Sequence, residues 1–64
     1  MNKQRRRLLK RAIGRFEDLL LGEEYDLHTE RSSFDELYRK QTILNIETLK
    51  VAIEVLKKEL SNER

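Results

Sequence analysis

His28 is the only histidine in the chain, and it stands between Asp26 and Glu30. An imidazole beside carboxylates is the smallest kit for proton transfer, and the hydroxyls of Ser32 and Ser33 follow close behind. Catalysis asks for more: a base held by a third group, donors for developing charge, and a cleft that excludes water. His28 instead sits in a polar stretch and reads as a solvated side chain, while the two serines suit capping of a helix. The acids from Glu23 to Glu30 lack the glycine and ligand spacing of a calcium loop. Gly14 and Gly22 do not form a phosphate-binding loop. Without cysteine there is no disulfide or thiolate metal ligand, and one histidine does not make a metal cage. The expectation is a non-enzyme with no catalytic, cofactor-binding or metal-binding residues and no small-molecule substrate.

The other residues with chemical reach are cationic. Residues 1–15 carry Lys3, Arg5, Arg6, Arg7, Lys10, Arg11 and Arg15 and no acid, giving +7; the remaining residues sum to −5, which leaves the net +2. Arg5, Arg6, Arg7, Lys10 and Arg11 are therefore the candidate contacts for nucleic acid or for an acidic partner. Phosphate contacts of this kind would position a nucleic acid without reading its sequence. No zinc finger, recognition-helix motif or pair of RNA-stacking aromatics accompanies them. The opposing reading is that the arginines pair with acids of a neighbouring helix, where surface pairs contribute little individually.

The elements that position these residues are helices. The chain has no proline and two glycines, with Leu, Glu, Lys and Arg dominant, the composition of long helices. Leu8, Leu9, Ala12, Ile13, Phe16, Leu19 and Leu20 fall within an arc of about 140° at helical spacing. A first helix is predicted over 3–21, with Gly22 as its left-handed cap. The segment 22–32 loses the period and reads as a hinge, with Tyr25 and Leu27 folded over the hairpin end. Ser33 followed by Glu36 is a capping box, so a longer helix is predicted over 34–62.

That second helix carries two apolar stripes. Ile46, Leu49, Ile53, Leu56 and Leu60 are spaced 3, 4, 3, 4, as in a coiled-coil seam. Leu37, Leu44, Val51 and Val55 lie well around the helix from them. The hairpin core is assigned to Leu9, Ile13, Phe16 and Leu20 against Leu37, Leu44 and Val51. The 46–60 stripe is assigned to a dimer interface, because a first helix of about 28 Å leaves the end of a second of about 43 Å uncovered. The predicted architecture is all-α: one domain over 1–64, an antiparallel helical hairpin that dimerises into a four-helix bundle. A lone core of this size is marginal, which also favours a partner.

The opening Met1-Asn2-Lys3-Gln4-Arg5-Arg6-Arg7-Leu8 with Lys10, Arg11, Ala12 and Ile13 resembles small helical-hairpin proteins of phages and prophages of low-GC bacteria. Asn45-Ile46-Glu47-Thr48-Leu49 with Ala52-Ile53-Glu54 is similar to their closing helix, while the proline-containing turn of that group is missing here. The resemblance covers about half the chain and implies a phage accessory protein. The shape is also similar to Rop-like hairpins, an architectural analogy that does not carry function. With no apolar run near the roughly 18 residues of a membrane span, the chain is expected to be soluble and cytoplasmic. The functional expectation is a small accessory protein that homodimerises and binds and modulates a larger protein, as an inhibitor would. The alternative is a nucleic-acid-binding regulator using the basic first helix.

Overall fold

Period-3.6 apolar spacing dominates the chain, and a computed structural model, which describes residues 3–62, is helical almost throughout. The elements are α1 (Lys3–Leu27), α2 (Glu30–Phe34) and α3 (Glu36–Asn62), with no strand among the described residues. Met1 and Asn2, with which the stretch compared to phage hairpin proteins opens, lie outside them. The long helices α1 and α3 pack antiparallel as a hairpin, and the short α2 closes the turn. The fold is a narrow rod, 49 × 14 × 11 Å between Cα extremes.

α1 does not stop at residue 21, where the sequence predicts its end. Gly22 does not cap it; the helix runs on to Leu27, and no described residue has a positive φ. The physical reason lies in Glu23, Glu24 and Leu27, which are sound helix formers. Leu27 continues the apolar arc seven residues after Leu20 and is half-buried. Glu23 is tied to α3 by the Asn45 amide, whose Nδ2 donates to Glu23 Oε2 at 3.4 Å. The helix end is closed without glycine: the His28 and Thr29 N–H groups donate to the Tyr25 and Asp26 carbonyls at 3.0 and 3.2 Å. The Thr29 hydroxyl adds a bond to the Asp26 carbonyl at 2.7 Å. Such bonds satisfy carbonyls that the helix leaves orphaned. Tyr25 is exposed and does not fold over the end.

The start of α3 also differs from the predicted capping box. Ser33 lies inside α2, and its hydroxyl turns back to the Thr29 carbonyl at 3.5 Å. The cap is Asp35, extended at φ −112° and ψ 100°. Its Oδ1 accepts the Tyr38 N–H at 3.0 Å, and its carbonyl accepts the Arg39 N–H at 3.0 Å. An aspartate in that conformation is a favoured N-cap. The Arg31 guanidinium stands 4.3 Å from the centre of the Tyr38 ring, which pins α2 against α3 by a cation–π contact. The predicted hinge of 22–32 thus shrinks to His28 and Thr29, followed by one short helical turn.

The two long helices are matched in length. Twenty-five and 27 residues correspond to about 38 and 41 Å. Arg5 near the start of α1 reaches Glu59 near the end of α3 at 2.8 Å. The uncovered end that favoured a dimer through Leu56 and Leu60 therefore does not exist.

Candidate functional site

A helix with apolar residues around about 200° offers two faces, and only one can lie against α1. The face that does so is the 46–60 stripe. Ile46 and Ile53 are buried, and Leu49, Leu56 and Leu60 are half-buried. From α1, Leu9 and Ile13 are buried, and Phe16 and Leu20 are half-buried. Thr42 extends the buried row, its hydroxyl satisfied by the Tyr38 carbonyl at 2.9 Å.

The assignment of Leu37, Leu44 and Val51 to the hairpin core is therefore corrected. They are 79%, 58% and 60% exposed, and Val55 beside them is 59% exposed. The 46–60 stripe is an unbroken row of Ile and Leu, whose burial contributes most, and polar partners flanking it favour the same face. Glu59 meets Arg5, Lys57 meets Glu17 at 3.4 Å, and Asn45 meets Glu23. All three residues sit beside that stripe and would be carried away from α1 if the helix rolled over. Each pair is weak alone, and together they add to the preference set by burial.

On α3 at 100° per residue, Leu37 and Val55 lie about 180° around from Ile46, with Leu44 and Val51 close to them. The outer edge of the hairpin is thus an aliphatic row. Gln41 and Thr48 fall in the same row, completing the positions 37, 41, 44, 48, 51 and 55 with spacing 4, 3, 4, 3, 4. Both are already provided for within the chain. The Thr48 hydroxyl donates to the Leu44 carbonyl at 2.8 Å, and Gln41 Nε2 donates to Asn45 Oδ1 at 3.1 Å. Covering this row would strand few polar groups. Reading only aliphatic types hides the seam; the signal that reveals it is the spacing with Gln41 and Thr48 included. Phe34 at the end of α2 is exposed near the same end as Leu37.

No protein-family model, curated protein or solved structure matches this chain. The site stands on its own geometry.

The basic residues divide. Arg5 is engaged by Glu59. Arg6, Arg7, Lys10, Arg11 and Arg15 are exposed and make no ion pair among the described residues. Arg7 and Arg11 lie about one turn apart on the side of α1 away from α3. The acids of α3 therefore neutralise one arginine of this cluster and leave a basic surface facing water. His28 is exposed, and no group of three or more His, Asp or Glu is placed to hold a metal among the described residues. Two open grooves run along the helix junction. One is lined by Leu19 and Leu49 with Glu23 and Asn45, and reaches Thr48, which stands at the margin of the outer row nearer α1; the other is lined by Leu20 and Ile53 among Glu17, Lys50, Glu54 and Lys57. One side of the hairpin is thus more apolar and the other charged. No described helix is long and apolar enough to cross a membrane.

Proposed function

We propose that this protein is a non-enzymatic accessory protein of the cytoplasm that works by protein–protein contact. It self-associates through the outer face of α3 and, as a pair of hairpins, binds and modulates a larger protein. The observation that carries the reading is the row Leu37, Leu44, Val51 and Val55, each more than half exposed and aligned on the side opposite α1. Aligned aliphatics of this kind mark interaction surfaces, and burial of each contributes to association. The resemblance to phage helical hairpins fits such a role in a mobile element.

Light scattering across a concentration series tests it. The expected result is a species at twice the 7.7 kDa chain mass, reduced to the monomer by Leu44→Glu. A monomer at every concentration would remove self-association. If Leu44→Glu then also left biological activity intact, the outer face of α3 would not be the working surface.

A second reading is supported by the unpaired cations of α1: a nucleic-acid-binding regulator whose basic helix tracks phosphates. It predicts affinity that falls linearly on a log–log salt plot. Changing Arg7, Lys10 and Arg11 to Gln would lower that slope by about 3. Nuclease treatment separates the two readings, since a protein target survives it and a nucleic-acid bridge does not.

A further inference from the structure

The outer seam of α3 reads the same in both directions, so it can pair with its own copy in either order and the residues beside it set the polarity. Reversing the sequence of positions 37, 41, 44, 48, 51 and 55 reproduces the same spacing, 4, 3, 4, 3, 4. We infer that two copies of this chain pair α3 against α3 in antiparallel order, about a two-fold axis level with Ile46. The inference rests on the proposed self-association through that face and specifies its partner, register and polarity.

In this register Leu37 lies across from the partner's Val55, Gln41 from the partner's Val51, and Leu44 from the partner's Thr48. All six seam positions are used with no offset, and each larger side chain meets a smaller one. Such alternation lets facing layers interdigitate. In parallel order every residue would instead meet its own copy, Leu37 on Leu37 and Thr48 on Thr48.

Charge separates the two orders. Lys40, Glu47 and Glu54 recur every seven residues along one flank of the seam, all exposed. Antiparallel helices place like flanks together, so Lys40, which also lies 3.6 Å from Glu36 of its own helix, faces the partner's Glu54 twice, while Glu47 faces its own copy once at the axis. Parallel helices place opposite flanks together. Glu54 then meets the partner's Glu59, which Arg5 already engages, and Lys40 finds only Asn45, so parallel order gains no ion pair between the copies. Flanking charges of this kind set partner orientation in coiled coils.

The ends of the rod agree. Residues 3–15 and 50–62, at the open end of the hairpin, carry ten cations and two acids; residues 16–49, toward the turn, carry nine acids and three cations. Antiparallel pairing sets the positive end of each rod beside the negative end of the other. These longer-range contributions are screened by salt, so the flank residues beside the seam decide. The helices then run in the order α1, α3, α3, α1, leaving both basic α1 surfaces outermost and at opposite ends.

The cysteine-free chain makes the test direct. Leu37→Cys and Val55→Cys are made separately in the full chain, both at exposed positions; the second copy carries a short tag that changes its mass. Each variant and their mixture are oxidised gently and run on a non-reducing gel, with light scattering on the unmodified chain alongside. Antiparallel pairing gives a disulfide dimer in the mixture and none from Leu37→Cys alone, whose two copies would be about 27 Å apart along the axis. Efficient self-linking of Leu37→Cys overturns the antiparallel order while self-association stands. A dimer by light scattering that links in none of the three samples overturns the α3 interface. A monomer at all concentrations overturns the self-association reading itself. Glu47→Gln removes the like-charge contact at the axis and should tighten the dimer about two-fold; unchanged affinity would also count against this register.

Discussion

Gly22→Ala tests the course of α1, because its sign differs between the two possible endings. A glycine that caps a helix in the left-handed region loses stability when a Cβ is added, by about 1 kcal/mol or more. Here Gly22 lies within α1, its φ is not positive, and a Cβ built on it meets nothing within 4 Å. The substitution therefore gains helix propensity and restricts the unfolded chain, with no steric cost. Together these contribute about 0.5–1 kcal/mol in favour of the folded state. For a domain of this size, that raises the melting temperature by about 2–8 °C. Gly14 offers an internal control: it too is helical and its Cβ would also meet nothing within 4 Å. The two sites are eight residues apart, about 12 Å along the helix, so their gains should add. Thermal unfolding followed by circular dichroism at 222 nm, at one fixed protein concentration, reads both variants. A rise for Gly14→Ala with a fall for Gly22→Ala would refute the continuous helix and restore a cap at residue 22.

Other substitutions test the remaining corrections. Ile53→Ala empties a buried site and should cost about 2–4 kcal/mol, whereas Leu44→Ala, measured by urea unfolding at low concentration, should cost about 1 kcal/mol or less; the reverse order would return the 37–51 stripe to the hairpin core. Asp35→Ala removes the side chain that accepts the Tyr38 N–H and should cost about 1 kcal/mol, while Ser33→Ala should cost much less; urea midpoints decide between the caps. Ser32 is 2% exposed, and its hydroxyl has no hydrogen-bond partner among the described residues. Ser32→Ala should therefore be neutral or stabilising, by up to about 1 kcal/mol, and a clear loss of stability would show that the hydroxyl is used.

The helices were legible because apolar spacing and the absence of proline leave little else for these residues to do. Leu9, Ile13, Phe16 and Leu20 could be placed toward α3 because α1 has one narrow apolar face. α3 could not be oriented in the same way. Counted by aliphatic residues alone its two stripes look alike; the 46–60 row is unbroken Ile and Leu while the other is interrupted by Gln41 and Thr48, and Arg5–Glu59, Glu17–Lys57 and Glu23–Asn45, pairs between residues far apart in the chain, add to that difference. The misplaced end of α1 has a local cause. Gly22 is as good a stop signal as any sequence contains, and it was overridden by Leu27 packing and by Glu23 binding across the hairpin. Ser33 and Asp35 are both competent caps, and only the turn of α2 decides which of them stands at the start of α3. Of the candidate site, the basic cluster was plain from composition. That its cations beyond Arg5 stand clear of α3's acids was not, because pairing depends on which way each helix face turns.

A rod only 11 Å across its thinnest dimension between Cα atoms has no interior in depth. Leu9, Ile13, Ile46 and Ile53 each retain 7–9% exposure, since each helix shields only one side of the other. Opening of this hairpin needs no cooperative collapse of a many-layered core, so proteases should reach the chain through frequent brief excursions. Anything that binds the closed form lengthens its life by mass action, in proportion to its concentration over its dissociation constant. On the self-association proposed above, the cellular amount of such a protein would then depend on its own concentration: unpaired copies would be cleared, and paired copies would persist.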